Sequence, residues 1–321
     1  MLSNLRKKMI QRNIKKYSEF KVNEWWDVKV GLGILNYSNF DKQRYSTKKM
    51  KESFENPNLV QDNKIPYYKV GNEIYNMILC PLGIFMAGSE YDSSNAPQKM
   101  NIERSFLLGE TEVTQELYES IMGAKPSKVQ DRPKNPVEQV SWYDALMLCN
   151  KLSDMFELDR YYTIGDAQEI TDRNGKIGTH YPIKMNESSK GFRLPTEWEW
   201  EYAAKARMGD KFFLSGSDSP NKVAWYGKNS MVNKIGTTHP VKQLKPNAWG
   251  FYDMSGNVAE WCENHFYNYT LPPMDIVISE SRVFRGGSYV NSKEDISVSK
   301  RLGYSPTHKN SMLGFRVCRY I

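Results

Sequence analysis

The motif around which this chain is organised is Asn247-Ala-Trp-Gly-Phe-Tyr-Asp-Met-Ser-Gly-Asn-Val-Ala-Glu-Trp261. Its four aromatic residues need a core that buries them, and its glycines allow backbone angles that other residues avoid. Two carboxylates, Asp253 and Glu260, flank the turn Ser255-Gly-Asn257. Such acid-flanked glycine turns are common in β-rich cores. Carboxylate and carbonyl oxygens also bind hard cations, and the spacing alone leaves both interpretations open.

Four further segments carry distinctive residue combinations in a fixed order. They are Gly109-Glu-Thr-Glu-Val-Thr114, Pro136-Val-Glu-Gln-Val-Ser-Trp-Tyr-Asp-Ala145, Phe192-Arg-Leu-Pro-Thr-Glu-Trp-Glu-Trp-Glu-Tyr-Ala-Ala204, and Arg285-Gly-Gly-Ser288 followed by Leu313-Gly-Phe-Arg-Val317. Together with Gly256-Asn-Val-Ala-Glu-Trp261, these segments resemble the formylglycine-generating enzyme family, also called the sulfatase-modifying-factor family. The five ordered matches extend over residues 76–319, and on them the chain is identified as a member of that family.

Capping signals predict three helices. They begin at Thr114, at the S-x-x-D pair Ser141 and Asp144, and at the T-x-x-E pair Thr196 and Glu199. The second helix is predicted to end near Phe156 and the third near Met208. The structural role of the segment around Thr196 is sufficient to explain it, because it starts a helix and buries aromatic residues.

Glycine and proline signals predict strands and turns. Two apolar runs on either side of Pro81-Leu-Gly83 predict a hairpin, and Asn174-Gly175 is the predicted turn of an exposed hairpin within residues 161–190. Strands are also predicted within residues 103–109, 282–290 and 313–319. Helices embedded among short strands and long loops indicate an α+β fold. The resemblance sharpens this prediction to the formylglycine-generating-enzyme fold, a variant of the C-type-lectin fold.

The chain has 321 residues, which is enough for one domain of roughly 250 residues and an extension. We assign residues 1–75 to a basic, partly helical N-terminal extension and residues 76–321 to a formylglycine-generating-enzyme-like domain. Residues 1–20 have helical spacing of apolar residues and a basic opposite face. Such a helix can lie on an anionic membrane surface or dock on the domain, and docking is the commoner outcome.

Composition excludes several other classes. The net charge of +7 is modest, and no nucleic-acid-binding motif accompanies it, so we expect no nucleic-acid partner. Residues 1–30 contain no signal peptide and no stretch could span a membrane, which predicts a cytoplasmic protein unless secretion uses no Sec signal. The four cysteines form no C-x-x-C pair and are predicted to be buried free thiols: Cys80, Cys149, Cys262 and Cys318.

The resemblance allows a test of catalytic activity. The family's oxidase uses two cysteines, five positions apart, that follow the Gly-Gly-Ser turn and bind copper(I) as thiolates. In this chain those positions hold Asn291 and Ile296. Asparagine is a poor copper(I) ligand and isoleucine has no ligating atom. We therefore expect no copper and no formylglycine-generating activity; the alternative is a genuine formylglycine-generating enzyme whose thiols align differently.

Iron-dependent relatives of the family carry a three-histidine site on an N-terminal helical bundle. Here residues 1–75 contain no histidine, and the histidines that follow form no H-x-x-H or H-x-x-x-H pair. They are His180, His239, His265 and His308. We expect no iron.

The resemblance also implies a calcium site in the central motif. Its ligands would be the side chains of Asp253 and Glu260 and the backbone carbonyls of Gly256 and Val258. Asp253 stands where the family usually has asparagine, which adds charge and favours a dication. A second family site would lie within residues 223–235, which lack its acidic residue, so we predict only the first, as a structural site.

The family's substrate cleft would lie beside the Gly-Gly-Ser turn. The residues predicted to bind a ligand there are Ser288, Asn291, Lys293, Arg301, Tyr304 and His308. Surface loops of lectin-type folds often bind ligands, although an ordinary solvated loop has the same composition. We predict a binding or scaffolding module for a protein or peptide. The alternative is an enzyme of unassigned reaction that uses the same cleft.

Overall fold

The computed structural model describes residues 59–62, 65–90, 95–171, 177–206, 211–266 and 281–321. The helix predicted over residues 1–20 and the turn Asn174-Gly175 lie outside these ranges. Within them the chain forms seventeen strands and four α-helices.

The strands are β1 (Leu59–Asp62), β2 (Ile65–Val70), β3 (Glu73–Cys80), β4 (Gly83–Ala87), β5 (Gln98–Ile102), β6 (Phe106–Gly109), β7 (Tyr162–Ile164), β8 (Gln168–Thr171), β9 (Ile177–His180), β10 (Ile183–Met185), β11 (Met231–Val232), β12 (Ile235–Gly236), β13 (Ala259–His265), β14 (Arg282–Arg285), β15 (Arg301–Tyr304), β16 (Leu313–Gly314) and β17 (Cys318–Tyr320). The helices are α1 (Gln115–Met122), α2 (Trp142–Met155), α3 (Glu197–Lys205) and α4 (Pro220–Val223), and a short 3-10 helix covers Glu294–Ile296.

The largest sheet is antiparallel and has the strand order β1-β2-β3-β6-β17. Tyr68 on β2 is fully buried, and its ring contacts those of Phe156 and Phe192 at centroid distances of 4.7 and 4.8 Å. The boundary predicted at Asn76 is therefore too late, because residues 65–75 already contribute to the core. The polar composition around these strands concealed a short alternation in which Tyr68 and Val70 face inward.

A second sheet has the order β15-β14-β13-β16, with β13 and β16 parallel and the other pairs antiparallel. The end of the central motif forms β13, an inner strand of this sheet. Four two-stranded pairs complete the strands: β4–β5, β7–β10, β8–β9 and β11–β12.

The hairpin predicted around Pro81 is wrong, because β3 pairs with β2 and β6 while β4 pairs with β5. Residues 81 and 82 carry the chain from one sheet to another.

The three predicted helices form with the predicted caps. The Thr114 side chain accepts a hydrogen bond from the amide of Leu117, and the pairs at Ser141 and Thr196 both form complete capping boxes. Helix α2 ends next to Phe156, as predicted. Helix α3 ends at Lys205, earlier than predicted, because Ala206 adopts a left-handed backbone with φ of 44°.

Two apolar clusters fill the interior. The larger one joins α1 and α2 to the five-stranded sheet around Trp142 and Trp261, and the second surrounds Trp200 on α3. All four cysteines are buried and free, as predicted. Among the described helices, none combines the length and apolar character needed to cross a bilayer.

Candidate functional site

Helix α3 brings three buried glutamates to the centre of the molecule, and each one pairs with an arginine from another segment. The pairs are Glu197 with Arg301, Glu199 with Arg193, and Glu201 with Arg285. Two of these pairs are bidentate, with N···O distances between 2.6 and 3.0 Å. Bidentate geometry satisfies both carboxylate oxygens, which is what burial of a charged pair requires. These pairs hold β14 and β15 against α3.

Glu260, one of the predicted calcium ligands, lies in a fourth buried pair. Both of its carboxylate oxygens accept hydrogen bonds from the Arg316 guanidinium, at 2.6 and 2.7 Å. The indole N–H of Trp200 donates to one of the same oxygens at 2.7 Å. The glutamate is fully buried and already neutralised by a partner that the sequence reading did not identify.

Asp253, the other predicted carboxylate ligand, is held differently. The amide of Lys242 donates to its Oδ2 at 2.9 Å, while Oδ1 is buried and has no hydrogen-bond partner. Burial raises the pKa of this carboxyl to about 6. Asp253 therefore supplies one buried carboxylate oxygen that is open to a proton or a cation.

Glu112 is a third buried carboxylate in this region, and sequence reasoning did not select it. It accepts hydrogen bonds from the amide of Val258 at 3.0 Å and from the side chain of Asn257 at 2.8 Å. Its pKa lies well above the ordinary value, first because of burial and then because Asp253 and Glu260 are nearby. Glu112 lies in the family motif that begins at Gly109, which supported the resemblance but was assigned no site residue.

The turn between the two acids depends on Gly256. Its φ is 82°, and a Cβ at this position would lie 2.1 Å from the carbonyl oxygen of Trp225. A glycine is therefore required here for both conformation and space.

No group of three or more His, Cys, Asp or Glu side chains within the described ranges is arranged to hold a metal ion. Calcium bound by Asp253, Glu260 and the two backbone carbonyls stays a prediction.

The Gly-Gly-Ser turn is closed by the residue that stands at the first thiol position. Asn291 Oδ1 accepts hydrogen bonds from both the amide and the hydroxyl of Ser288, at 2.8 and 2.6 Å. Gly286 and Gly287 have φ of 84° and 63°, and a Cβ on Gly287 would lie 2.5 Å from the carbonyl oxygen of Asp295. Asn291 thus serves as a turn-capping residue.

At the second thiol position, both the side chain of Ile296 and its surroundings are apolar. Ile296 is fully buried in a small cluster with Leu214, Val223, Ala224 and Tyr226. Burial raises the pKa of each of the four cysteine thiols above its usual range, which disfavours the thiolate that copper(I) binds. The residues present at these positions do not fit a copper(I) site.

The other predicted ligand-binding residues lie in separate environments. Arg301 is buried against Glu197, and the Lys293 ammonium lies 5.9 Å from the centroid of the Phe213 ring. Tyr304 and His308 are in contact, with ring centroids 4.1 Å apart. The structure therefore joins Ser288 to Asn291 and Tyr304 to His308 but does not gather all six side chains into one cavity. Two surface cavities of about 260 Å³ lie elsewhere, beside Lys205 and beside Glu116.

Strand β15 adds an exposed residue that sequence reasoning missed. Leu302 and Tyr304 are each 40% exposed and share one face of the strand. Arg301, which pairs with Glu197 of α3, is buried. Among the described strands, β15 pairs with β14 and lies at the end of its sheet. The Tyr304 ring stacks on Phe284 at 4.9 Å, which fixes its position at this edge.

The chain is similar to a known family profile, to two characterised proteins and to a solved structure. The profile of the sulfatase-modifying factor enzyme 1-like domain matches residues 65–321. The chain is 36% identical over 231 residues to the chaperone protein LppX of Paenibacillus barcinonensis, covering 67% of this chain and 80% of that protein. It is 33% identical over 175 residues to the formylglycine-generating enzyme of Streptomyces coelicolor, covering 47% of this chain and 55%, about half, of that enzyme. Treponema denticola variable protein 1 superposes with a TM-score of 0.68 at 33% identity, covering 81% of this chain and 100% of that chain.

Proposed function

This chain belongs to the sulfatase-modifying factor enzyme 1-like domain family, and from that premise we propose that it is a polypeptide-binding member that does not carry out the family's copper-dependent oxidation. The family match and the similar solved structure also confirm the predicted resemblance and the predicted α+β fold of the formylglycine-generating-enzyme type.

The observation that carries the proposal is that other residues stand at the two positions where the family's oxidase has its copper-binding cysteines. Asn291 uses its side-chain oxygen to close the turn after Ser288, and Ile296 fills an apolar cluster. Each residue has a structural role that a copper-binding thiolate would disrupt. A cysteine at one position alone would therefore not create a two-thiolate metal site.

A binding role is supported by what this chain resembles. LppX, a relative along most of the length of both chains, is named a chaperone protein. A chaperone must bind other polypeptides, and the resemblance extends that expectation to this chain. The ligand would be a protein segment, in agreement with the prediction made from the sequence.

The side of β15 that faces away from β14 is the surface best suited to such a segment. An extended peptide can add to the end of a sheet as a further strand. The exposed side chains of Leu302 and Tyr304 provide apolar contacts at alternate positions, as this mode of binding requires. Lys300 directly precedes the strand and favours a segment that also carries acidic residues.

The proposal is tested with a permanently unfolded protein, such as reduced and carboxymethylated lactalbumin, whose binding is followed by fluorescence anisotropy. We expect the full chain to bind it, and Leu302→Lys with Tyr304→Lys to weaken binding about tenfold, because two apolar contacts are replaced by charge. Ile84→Lys, at another exposed strand position, is the control.

Absence of binding, or an equal loss in the Ile84 variant, would contradict the assigned surface.

The absence of oxidase activity is tested by a separate assay. The purified chain is incubated with copper(I) and a sulfatase-type cysteine peptide, and aldehyde is sought by mass spectrometry. Turnover above a copper-only blank would show that the thiols have been misaligned.

A further inference from the structure

Strands β11 and β12 form a two-stranded hairpin whose tip stands out from the domain. Its five successive residues 231–235 are all exposed. Three of them are aliphatic, with Met231 61%, Val232 41% and Ile235 70% exposed. Ile235 is the most exposed of the large apolar side chains in the described ranges. Exposure of three neighbouring aliphatic side chains is unfavourable in water unless a partner covers them.

The hairpin is fixed in this exposed position. Asn233 and Lys234 have φ of 52° and 67°, as in the tight turns that favour two-residue hairpins. At its base, the buried Ser230 hydroxyl donates to the carbonyl of Tyr289 at 2.6 Å. The His239 ring lies in hydrogen-bond contact with the carbonyl of Ser230 at 3.0 Å. The base is anchored, so the tip does not bury its side chains against its own domain.

The segment that contains the hairpin is basic. Residues 219–252 contain five lysines and no acidic residue, and all five lysines are exposed: Lys222, Lys228, Lys234, Lys242 and Lys245. Lys242 pairs with Glu110, and Lys228 neighbours Glu294. Lys234 lies within the turn itself, directly before Ile235, and places a positive charge beside the aliphatic side chains.

The size and shape of this feature favour a lipid surface over a protein partner. A stable protein interface uses about 20–30 residues on each side, whereas the aliphatic tip has three. Insertion among lipid headgroups needs only a few apolar side chains with basic residues beside them. Lysine stems also pack along apolar surfaces while their ammonium groups reach anionic phosphates.

We propose that the β11–β12 hairpin is a membrane-surface anchor, which inserts Met231, Val232 and Ile235 among the headgroups of an anionic bilayer while Lys234 binds a lipid phosphate. This surface is separate from the edge of β15 and does not depend on the function proposed for that edge. It also differs from an anchor in residues 1–20, because its residues lie within the folded domain.

The test is co-sedimentation of the full chain with vesicles of phosphatidylcholine alone and of an equal mixture of phosphatidylcholine and phosphatidylglycerol. We expect binding to the anionic vesicles only, and weakening of that binding by added salt. Ile235→Asn and Lys234→Glu should each reduce binding about tenfold, through loss of apolar insertion and of charge respectively. Ile74→Asn and Lys99→Glu, at exposed positions elsewhere, are the matched controls.

All four substitutions are at exposed positions, so unchanged melting temperatures are expected and verify folding. If the chain ignores anionic vesicles, or if the hairpin and control variants bind equally, the anchor proposal is wrong. Binding that survives the hairpin substitutions and is lost on deletion of residues 1–58 would assign the membrane contact to those residues instead. A polyglutamate peptide that binds with the same dependence on Ile235 and Lys234, while vesicles do not bind, would identify a protein-docking surface and overturn the proposal.

Discussion

At the residue scale, Asp253 combines burial, charge and an unusual backbone conformation. Its φ is 57°, in the left-handed region that asparagine and aspartate tolerate better than most residues. It is 4% exposed, and its Oδ1 lacks a hydrogen-bond donor. Burial raises the pKa of its carboxyl from 3.8 to about 6. The folded state therefore holds the proton more tightly than the unfolded state does.

Because the charge of Asp253 is buried, the effect of Asp253→Asn on the free energy of unfolding should depend on pH. Asparagine keeps the acceptor for the Lys242 amide and suits the backbone, but it carries no charge. The cost of the buried charge is absent below about pH 4, grows as pH rises towards 6, and is complete above it. At pH 8 the variant should be more stable than the wild type by up to about 3 kcal/mol, since each pKa unit corresponds to about 1.4 kcal/mol. Urea unfolding at pH 8 and pH 4 measures this difference, and a gain of equal size at both values would contradict it.

The variant Asp253→Ala, which has no side-chain oxygen, tests the predicted calcium site. A dication at Oδ1 would remove the cost of the charge and stabilise the wild type increasingly as calcium rises above its dissociation constant. Excess calcium is then expected to raise the melting temperature of the wild type at pH 8 and to leave that of Asp253→Ala unchanged. If the wild type melts identically in calcium and in chelator, the loop is held by its hydrogen bonds and by the Glu260–Arg316 pair alone.

At the scale of elements, the helix starts were predictable because their signals are local. A capping box needs residues only three positions apart, so Thr196 and Glu199 identify the start of α3 from the sequence. The partners of the α3 glutamates were not predictable in this way. Glu197 and Arg301 are 104 positions apart, and their pairing depends on which strand the fold brings to the helix. The same reason explains why Arg316 was missed as the partner of Glu260.

The Glu197–Arg301 pair can be tested as a unit. Arg301→Met leaves a buried carboxylate without its cation and should cost about 3–5 kcal/mol of unfolding free energy. The double variant Glu197→Leu with Arg301→Met removes both charges and should recover a large part of that loss, because an apolar pair has no desolvation cost. Chemical denaturation of the wild type, both single variants and the double variant gives the coupling energy. A double variant that is less stable than Arg301→Met would show that the charges stabilise the fold themselves.

At the scale of the whole molecule, the sequence motifs located the domain but not its first strands. The motifs lie where the family's glycines, caps and aromatics are required, and these are features that local chemistry makes recognisable. Strand β2 has no such requirement, since Tyr68 and Val70 need only be apolar and alternate. The residues predicted to bind a ligand follow the Gly-Gly-Ser turn, and the structure divides their side chains among different contacts. That division follows from long-range ion pairs and ring stacking that spacing does not encode.

The domain boundary is open to a direct test. Deletion of residues 1–75 removes β1, β2 and the buried Tyr68 ring, so we expect the product to lose its cooperative melting transition. Deletion of residues 1–58 leaves all the described contacts in place and should preserve the transition. Differential scanning calorimetry of both products measures this. Cooperative melting of the shorter product would restore the boundary at Asn76.

The long separations within the buried ion pairs also govern how a nascent chain can fold on the ribosome. Two of the three α3 carboxylates, those of Glu201 and Glu197, are synthesised 84 and 104 residues before their arginines, and Glu260 is synthesised 56 residues before Arg316. At about 5–20 residues per second, the acids wait on the order of ten seconds for their counter-ions. During that interval they must stay hydrated, because burial without a partner is too costly. Helix α3 therefore cannot enter its final core during early synthesis, and consolidation of this domain waits until residue 316 has emerged.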